Sequence, residues 1–221
     1  MAERAILTDL RNNQHTISKR KELIHEGHRT VSAYILYEGW MCSYKQLPDG
    51  GRQVIDLRLP GDFVGLTSLF PITSDRDVEA LTDSLVVELS KAQIIATMQQ
   101  SSRFTEVVLW SLARDEAIAA QRLADIGRRN ALVRTVHFFL ELGCRLQDVG
   151  KGTATRYECP LSQQLLADAL GLTSIHINRI LRHLRESDLI TFSGGTVELL
   201  NLPVLTQLAG FDPSYLGLLP R

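Results

Sequence analysis

Cysteine is scarce in this sequence, which contains only Cys42, Cys144 and Cys159, far apart along the chain. An odd number of cysteines, with no CxxC pair and no cluster with histidine, argues against a disulfide framework, a zinc site and an iron–sulfur cluster. We therefore expect neither a metal nor a cofactor. Unpaired thiols suit a reducing compartment, so we expect a cytoplasmic protein.

Long apolar runs and an excess of one charge are also missing. No apolar segment approaches the roughly 18 residues of a membrane span, and the charged N-terminus lacks the apolar run of a signal peptide. Lys and Arg number 24 against 25 Asp and Glu, a formal net charge of −1, so binding to a polyanion would require a local basic surface. There is no GxSxG, no Walker loop and no HExxH, so we do not expect an enzyme and expect no membrane partner.

The segment 27–90 has the pattern of short strands separated by turns. The stretch TVSAYILYEG alternates apolar and polar residues, and turn residues follow at 48–51 and 60–62. Short strands punctuated by Gly and Pro are typical of a compact β-sandwich or barrel, which residues 78–81 and 85–89 would complete. Ser90 is a predicted N-cap for a helix that starts at Lys91.

The segment 103–128 changes character, since it contains no proline and no glycine before Gly127. Its positions at roughly helical spacing form an impure heptad-like row. They are Val107, Trp110 or Ser111, Arg114, Ala117 and Ile118, Gln121 and Ala124. A helix this long between two dissimilar regions is either an ordinary interdomain helix or the seam of a parallel dimer.

The last ninety residues predict helices followed by a hairpin. Ser162 is a predicted N-cap of one helix, Gly171 ends it, and Thr173 caps the next. A tight turn at 193–195 then separates two short strands. Two short helices joined by a glycine-containing turn and followed by a hairpin are the pattern of a winged helix-turn-helix.

The second of these helices divides into two faces on a 3.6-residue period. One face carries Thr173, Ile177, Ile180, Leu181 and Leu184; the other carries Ile175, Arg179, Arg182 and His183, with His176 and Asn178 beside it. There is no acidic residue between Thr173 and Arg185. Because DNA phosphates repel carboxylates and arginine binds both phosphates and base edges, this face is predicted to bind the major groove.

Taken in order, these segments resemble the Crp/Fnr family of bacterial transcription regulators over nearly the whole chain. The residues that carry the resemblance are Leu36–Gly39, Asp49-Gly50, PGDFVG at 60–65, the helix at 103–128 and the segment 162–200. It implies a cyclic-nucleotide-binding-type jelly roll, a dimerisation helix and a winged helix-turn-helix. It also implies a homodimer that binds a palindromic operator in double-stranded DNA and recruits or blocks RNA polymerase.

The resemblance assigns reader positions on the recognition helix. Many members of the family read DNA with an acidic residue and an arginine four positions later; here the arginine is Arg179, and Ile175 stands at the acidic position. Ser174 stands where the cyclic-AMP receptor type has an arginine, and Asn178 precedes Arg179. We expect Arg179, Ile175 and Asn178 to read bases, and Ser174, His176 and Arg182 to contact the backbone together with the wing. Thr173 completes the set of predicted DNA-binding residues.

The resemblance also marks a possible effector pocket, whose positions are Gly61, Gly65, Leu66, Thr67, Arg76, Asp77, Ala119 and Ala120. Leu66 stands where the family's ribose-binding glutamate would be, and Ala119-Ala120 stand where hydroxyl groups reach the adenine. Asp77 follows Arg76 in place of serine and would repel a cyclic phosphate. We therefore expect a regulator that does not depend on cyclic AMP, Arg76 being a solvated arginine, and any small-molecule effector is unidentified.

The sequence thus predicts an α+β protein with a jelly roll over 1–100, a dimerisation helix over 101–128 and a winged helix-turn-helix with a C-terminal tail over 129–221. Its predicted function is sequence-specific transcription regulation. The alternative is a cyclic-nucleotide-fold interaction module that docks a protein and does not read DNA. The tail, which contains a helix-like LPVLTQLAG, would cover either the DNA-binding domain or a dimer partner.

Overall fold

The computed structural model describes residues 13–70 and 73–217. The chain forms two compact units, Met1–Ala113 and Arg114–Arg221, which divide inside one long helix. Each unit is described by itself. None of the helices in the described ranges is long and apolar enough to cross a membrane.

In the described part of the first unit, 13–70 and 73–113, the fold is built on eight strands. They are β1 (Gln14–Ile17), β2 (Glu22–Ile24), β3 (Ser32–Glu38), β4 (Met41–Gln46), β5 (Arg52–Arg58), β6 (Phe63–Val64), β7 (Asp77–Ala80) and β8 (Ser84–Ser90). They pair antiparallel in two four-stranded sheets, in the orders β1-β8-β3-β6 and β2-β7-β4-β5. Eight antiparallel strands in two sheets are the architecture of a jelly roll, and this confirms the predicted fold of the N-terminal region.

The core of the jelly roll comes from both sheets. Leu36 on β3 and Val86 on β8 belong to the same buried cluster as Met41 on β4 and Val78 on β7. Alternation of apolar and polar residues along these strands places one side of each sheet in this cluster. The strand pattern in the sequence was therefore a correct guide to the core.

Two helical elements close the first unit. A 3-10 helix, Leu66–Leu69, follows β6, and helix α1 spans Lys91–Gln100. Ser90 is the N-cap of α1 and forms a capping box with Gln93, as predicted from the sequence. Residues on both elements and Val108 of the following helix share a second buried cluster with β3 and β8.

Helix α2 spans Ser102–Arg128 and contributes to both units. The row predicted from the sequence is mixed, since Ser111 and Ile118 are buried within the chain whereas Val107 is 37% exposed. The opposite side of the helix is more exposed: Leu109 is 57% exposed and Leu123 is 74% exposed. The helical spacing predicted for this segment is confirmed.

The remaining elements of the second unit are mainly helical. They are α3 (Ala131–Asp148), β9 (Arg156–Glu158), α4 (Gln163–Leu170), α5 (Ser174–Glu186), β10 (Ile190–Ser193), β11 (Thr196–Leu199), α6 (Leu202–Ala209) and a 3-10 helix at Pro213–Leu216. The three strands form one antiparallel sheet in the order β10-β11-β9. Helix α3 is buried from Arg134 to Gly143 without a solvent-facing stripe.

The C-terminal tail packs on the second unit, one of the two positions left open by the sequence. Pro203 lies in the first turn of α6, and Gly210 ends the helix in the left-handed conformation with φ 55°. Helix α6 and the final 3-10 helix both contact α3. The ring of Tyr215 stacks on His137 of α3 at a centroid distance of 6.0 Å.

Candidate nucleic-acid interface

The inner face of helix α5 is an apolar stripe. Ile177 and Leu184 are fully buried, and Ile180 is nearly so. The helix packs against α4 and β10. This stripe determines which way the other side of the helix points, and the predicted core positions Ile177, Ile180 and Leu184 are confirmed as core.

The outer face of α5 is exposed and has no carboxylate in its first three turns. Arg179, Arg182 and His183 are all exposed, and Ile175 has 67% of its surface exposed. His176 and Asn178 beside them are exposed too. Ile175 is thus an apolar side chain on a solvent-facing basic surface, and it gains nothing from burial in the free protein.

Two predicted contact residues at the start of α5 also hold the motif together. Thr173 is the N-cap: its hydroxyl oxygen accepts a hydrogen bond from the His176 backbone N–H at 3.2 Å. Its assignment to the core face was wrong, because it is exposed. Ser174 is half-buried, and its hydroxyl donates to Gln164 Oε1 at 2.5 Å. That hydroxyl proton is engaged inside the domain and is not directed at a phosphate.

Gln164, on α4, was not identified from the sequence. Its side chain links α4 to α5 by accepting the hydrogen bond from the Ser174 hydroxyl. Its side-chain amide also donates to Asp168 Oδ1 at 2.7 Å. The angle between α4 and α5 is fixed by this polar link and by Gly171, which ends α4 with φ 61°, a conformation that glycine adopts without steric cost. The available signal was the i, i+4 spacing of Gln164 and Asp168 on one face of this helix.

The predicted hairpin is present as a wing. Strands β10 and β11 pair in register from Ile190–Leu199 to Ser193–Thr196. Gly194 and Gly195 join them with φ values of 58° and 77°, as a two-residue turn with two positive φ angles requires. The tip is exposed, and at its base the guanidinium of Arg156 pairs with the carboxylate of Glu198.

The predicted effector residues of the jelly roll have mainly structural surroundings. Gly61 and Gly65 have φ values of 93° and 74°, and a Cβ on Gly65 would lie 2.3 Å from Ile24 Cδ1. Leu66 is buried in the second apolar cluster of the first unit, which also contains Ile94 of α1. Thr67 is exposed. Two further predicted positions, Ala119 and Ala120, are exposed on α2 within the second unit.

Arg76 is not the solvated arginine expected from the sequence. Its guanidinium makes two hydrogen bonds to Asp75, at 2.9 and 3.0 Å, and lies 3.8 Å from Asp56 Oδ2. Only 26% of the side chain is exposed. The hydrogen bond to Asp75 raises the pKa of Arg76 and lowers that of Asp75. Asp77 instead accepts a hydrogen bond from the Glu26 backbone N–H at 2.8 Å. The carboxylates paired with Arg76 are those of Asp75 and Asp56.

A network of buried charges in the second unit was not found from the sequence. Glu141 of α3 lies 3.3 Å from Arg122 and 3.4 Å from Arg145, and accepts the Tyr215 hydroxyl at 3.0 Å. The buried carboxylate has a lowered pKa because these cations and the hydroxyl outweigh the effect of its desolvation. His137 Nδ1 lies 3.2 Å from Asp125 Oδ2.

The three cysteines have no feature of a reactive thiol. Cys42 and Cys159 are buried and Cys144 is partly buried. Burial raises the pKa of Cys159 to about 12 and also raises that of Cys144, which lowers the thiolate fraction of these two groups at neutral pH.

The chain consists of a jelly-roll domain, a long helix and a winged helix-turn-helix. This combination defines a class of protein, the DNA-binding regulators. The family model "Cyclic nucleotide-binding domain" matches residues 14–101, and the model "Crp-like helix-turn-helix domain" matches residues 133–208. The chain belongs to the Crp/Fnr family of transcription regulators, which act as dimers and are not enzymes.

Curated relatives and solved structures agree with this assignment. The chain is 29% identical over 180 residues to the nitrogen fixation regulation protein FixK of Bradyrhizobium diazoefficiens, covering 81% of this chain and 75% of the relative. It is 29% identical over 197 residues to FixK of Rhizobium meliloti, covering 87% and 85%. The structure of FixK2 from Bradyrhizobium japonicum matches with a TM-score of 0.80 and 26% identity, covering 90% of this chain and 98% of that one. The alternative of an interaction module without DNA readout is not favoured.

Proposed function

We propose that this regulator reads its operator with Arg179 and Ile175 of helix α5, one helix in each of two half-sites. The observation that carries the proposal is the exposed face of α5, which presents arginine and isoleucine and no carboxylate while its opposite face is buried. In a dimer of this family two such helices would enter successive major grooves about 34 Å apart. The protein acts in the cytoplasm and affects transcription through contact with RNA polymerase.

Arg179 is the guanine reader in this proposal. It lies in the middle of α5, exposed, and one turn along the helix from Ile175. An arginine so placed can donate two hydrogen bonds to guanine O6 and N7, worth about 1–3 kcal/mol of discrimination against another base.

In this proposal Ile175 determines which base is preferred next to the guanine that Arg179 reads. A carboxylate at this position would accept a hydrogen bond from cytosine N4, whereas an isoleucine cannot. An aliphatic side chain with most of its surface exposed can instead contact the methyl group of thymine. The half-site therefore keeps the guanine and changes or relaxes at the base next to it. Asn178, exposed beside Arg179, is a secondary reader.

The backbone contacts come from residues around these readers. Exposed Thr173, His176 and Arg182, with the wing tip, lie where they can meet phosphates. Contacts of this kind fix the register of the protein on the duplex but carry no sequence information. Ser174 supports the α4–α5 angle through Gln164, and we assign it a positioning role.

Control by cyclic AMP is not part of the proposal. The guanidinium of Arg76 is neutralised by Asp75 and Asp56, so a cyclic phosphate would have to displace two carboxylates. A buried leucine, Leu66, replaces the acidic residue that would bind the ribose.

Selection of bound sequences from a randomised duplex pool tests this function. The wild-type protein should select an inverted repeat with a guanine in each half-site, and the Ile175→Glu variant should shift the neighbouring base towards cytosine. A matched control is Ile175→Leu, which should retain the wild-type preference. Identical consensus sequences for wild type and Ile175→Glu would refute the assignment of Ile175, and no consensus with wild type would refute sequence-specific binding.

A further inference from the structure

The first unit contains an apolar cavity of about 460 Å³ that the DNA-binding function does not use. Its walls are the 3-10 helix at Leu66–Leu69, helix α1 and the first part of α2. Of the described residues that line it, only Thr67 and Lys91 are polar. A volume of this size, with a few polar groups at one place, is typical of a site for a small molecule.

The deep wall of the cavity is preformed by the core. Ile94 and Val108 are buried in the cluster that joins α1 and α2 to the jelly roll. Met98 and Leu112 are packed against the same cluster, and Leu66 is part of it. An apolar chain that entered here would replace water on these side chains without a rearrangement of the helices.

Lys91 gives the cavity one positive charge. Its Nζ donates to the Leu69 carbonyl oxygen at 3.1 Å and lies 4.5 Å from the centroid of the Phe70 ring. An ammonium has three hydrogens, so it can also donate to a ligand. No acidic side chain is found among the described residues that line the cavity.

The position of Lys91 in its helix supports a role in binding an anion. It is the first residue of α1, after the N-cap Ser90. A cation at a helix N-terminus is unfavourable, whereas an anion there is favoured. The helix start and the ammonium therefore both attract a carboxylate to the same end of the cavity.

We propose that this cavity binds an amphipathic carboxylate, with its hydrocarbon tail against Ile94, Met98 and Leu112 and its carboxylate on Lys91. A neutral hydrocarbon would leave the positive charge of the ammonium without an anion, and a fully polar anion would leave the apolar walls in contact with water. The site is separate from Arg76, and its occupation does not depend on the DNA-binding proposal, so the two are tested independently.

Calorimetric titration of the full-length protein with hexanoate, octanoate and decanoate, below their micelle-forming concentrations and without DNA, tests the proposal. Each added methylene should tighten Kd about three- to fourfold if the tail is buried. Decanol should bind at least tenfold more weakly than decanoate. Absence of binding, or a Kd independent of chain length, would overturn the proposal.

Two variants locate the ligand. Lys91→Glu should weaken decanoate binding at least tenfold and leave decanol unchanged; glutamate suits the first turn of a helix, so α1 should be retained. Lys21→Glu makes the same charge change at an exposed residue of the same unit outside the cavity and should leave both affinities unchanged. Thr67→Phe should fill the cavity and weaken both ligands. Equal effects of Lys91→Glu and Lys21→Glu would contradict the assignment of the carboxylate to Lys91.

Discussion

Two isoleucines of helix α5, Ile175 and Ile177, have opposite surroundings, and they give a direct test of the orientation of the helix. Ile177 has 0% of its surface exposed, whereas Ile175 has 67%. Ile177→Ala removes a fully buried side chain and should lower the free energy of unfolding by about 2–5 kcal/mol, from lost burial and the cavity left behind. Ile175→Ala changes an exposed position and should alter it by less than about 0.5 kcal/mol.

Operator affinity should show the reverse order. If Ile175 contacts a thymine methyl, its truncation should weaken binding to the selected operator by about fivefold, the equivalent of about 1 kcal/mol of apolar burial. Folded Ile177→Ala protein, measured at a temperature where it is native, should bind with nearly unchanged affinity. Urea unfolding followed by circular dichroism gives the stabilities, and fluorescence anisotropy with labelled duplex gives the affinities. Comparable destabilisation by both substitutions would refute the assigned orientation of α5.

The buried charges of the second unit give two further predictions. Tyr215→Phe removes the hydroxyl that donates to Glu141, so a buried carboxylate loses a charge-assisted hydrogen bond. It should lower the free energy of unfolding in urea by about 1.5–3 kcal/mol. Tyr37→Phe, at an exposed tyrosine, is the matched control and should leave the free energy of unfolding unchanged. Burial lowers the pKa of His137 despite the nearby Asp125, so the stability it contributes is complete above the unfolded value of about 6.5 and is lost as the pH falls below it. Histidine NMR titration should place the midpoint of His137 below 6.5, and a midpoint above 6.5 would show that Asp125 dominates.

Periodicity predicted the parts of the fold in which one local pattern determines the structure. The longer strands of the jelly roll, the capping box at Ser90 and the recognition helix were correct, because alternation, caps and helical spacing act within a few residues. Strands β1, β2, β6 and β9 were missed: they have two to four residues each, and they form strands through pairing with β8, β7, β3 and β11.

The exposed basic face of α5 was predictable because helical spacing acts within a few residues. The network of buried charges around Glu141 was not predictable in this way. The two faces of α5 follow from its spacing alone. The partners of Glu141 come from α2, α3 and the C-terminal 3-10 helix, so only the tertiary structure brings Arg122 and Tyr215 to it. In the same way, the sequence predicted a solvated Arg76, because its partner Asp56 lies on β5 and comes close to it only in the folded structure.

The central claim is that Arg179 reads a guanine while its neighbours hold the backbone. The most direct measurement is the anisotropy of labelled duplexes that carry either guanine or another base at the selected position, with Arg179→Ala and Arg182→Ala as two variants of equal charge. Arg179→Ala should lose about 1–3 kcal/mol on the guanine duplex and its preference between duplexes. Arg182→Ala should weaken binding to all duplexes alike and keep the preference. If Arg179→Ala still distinguishes guanine from the other bases as well as the wild type does, the account is contradicted.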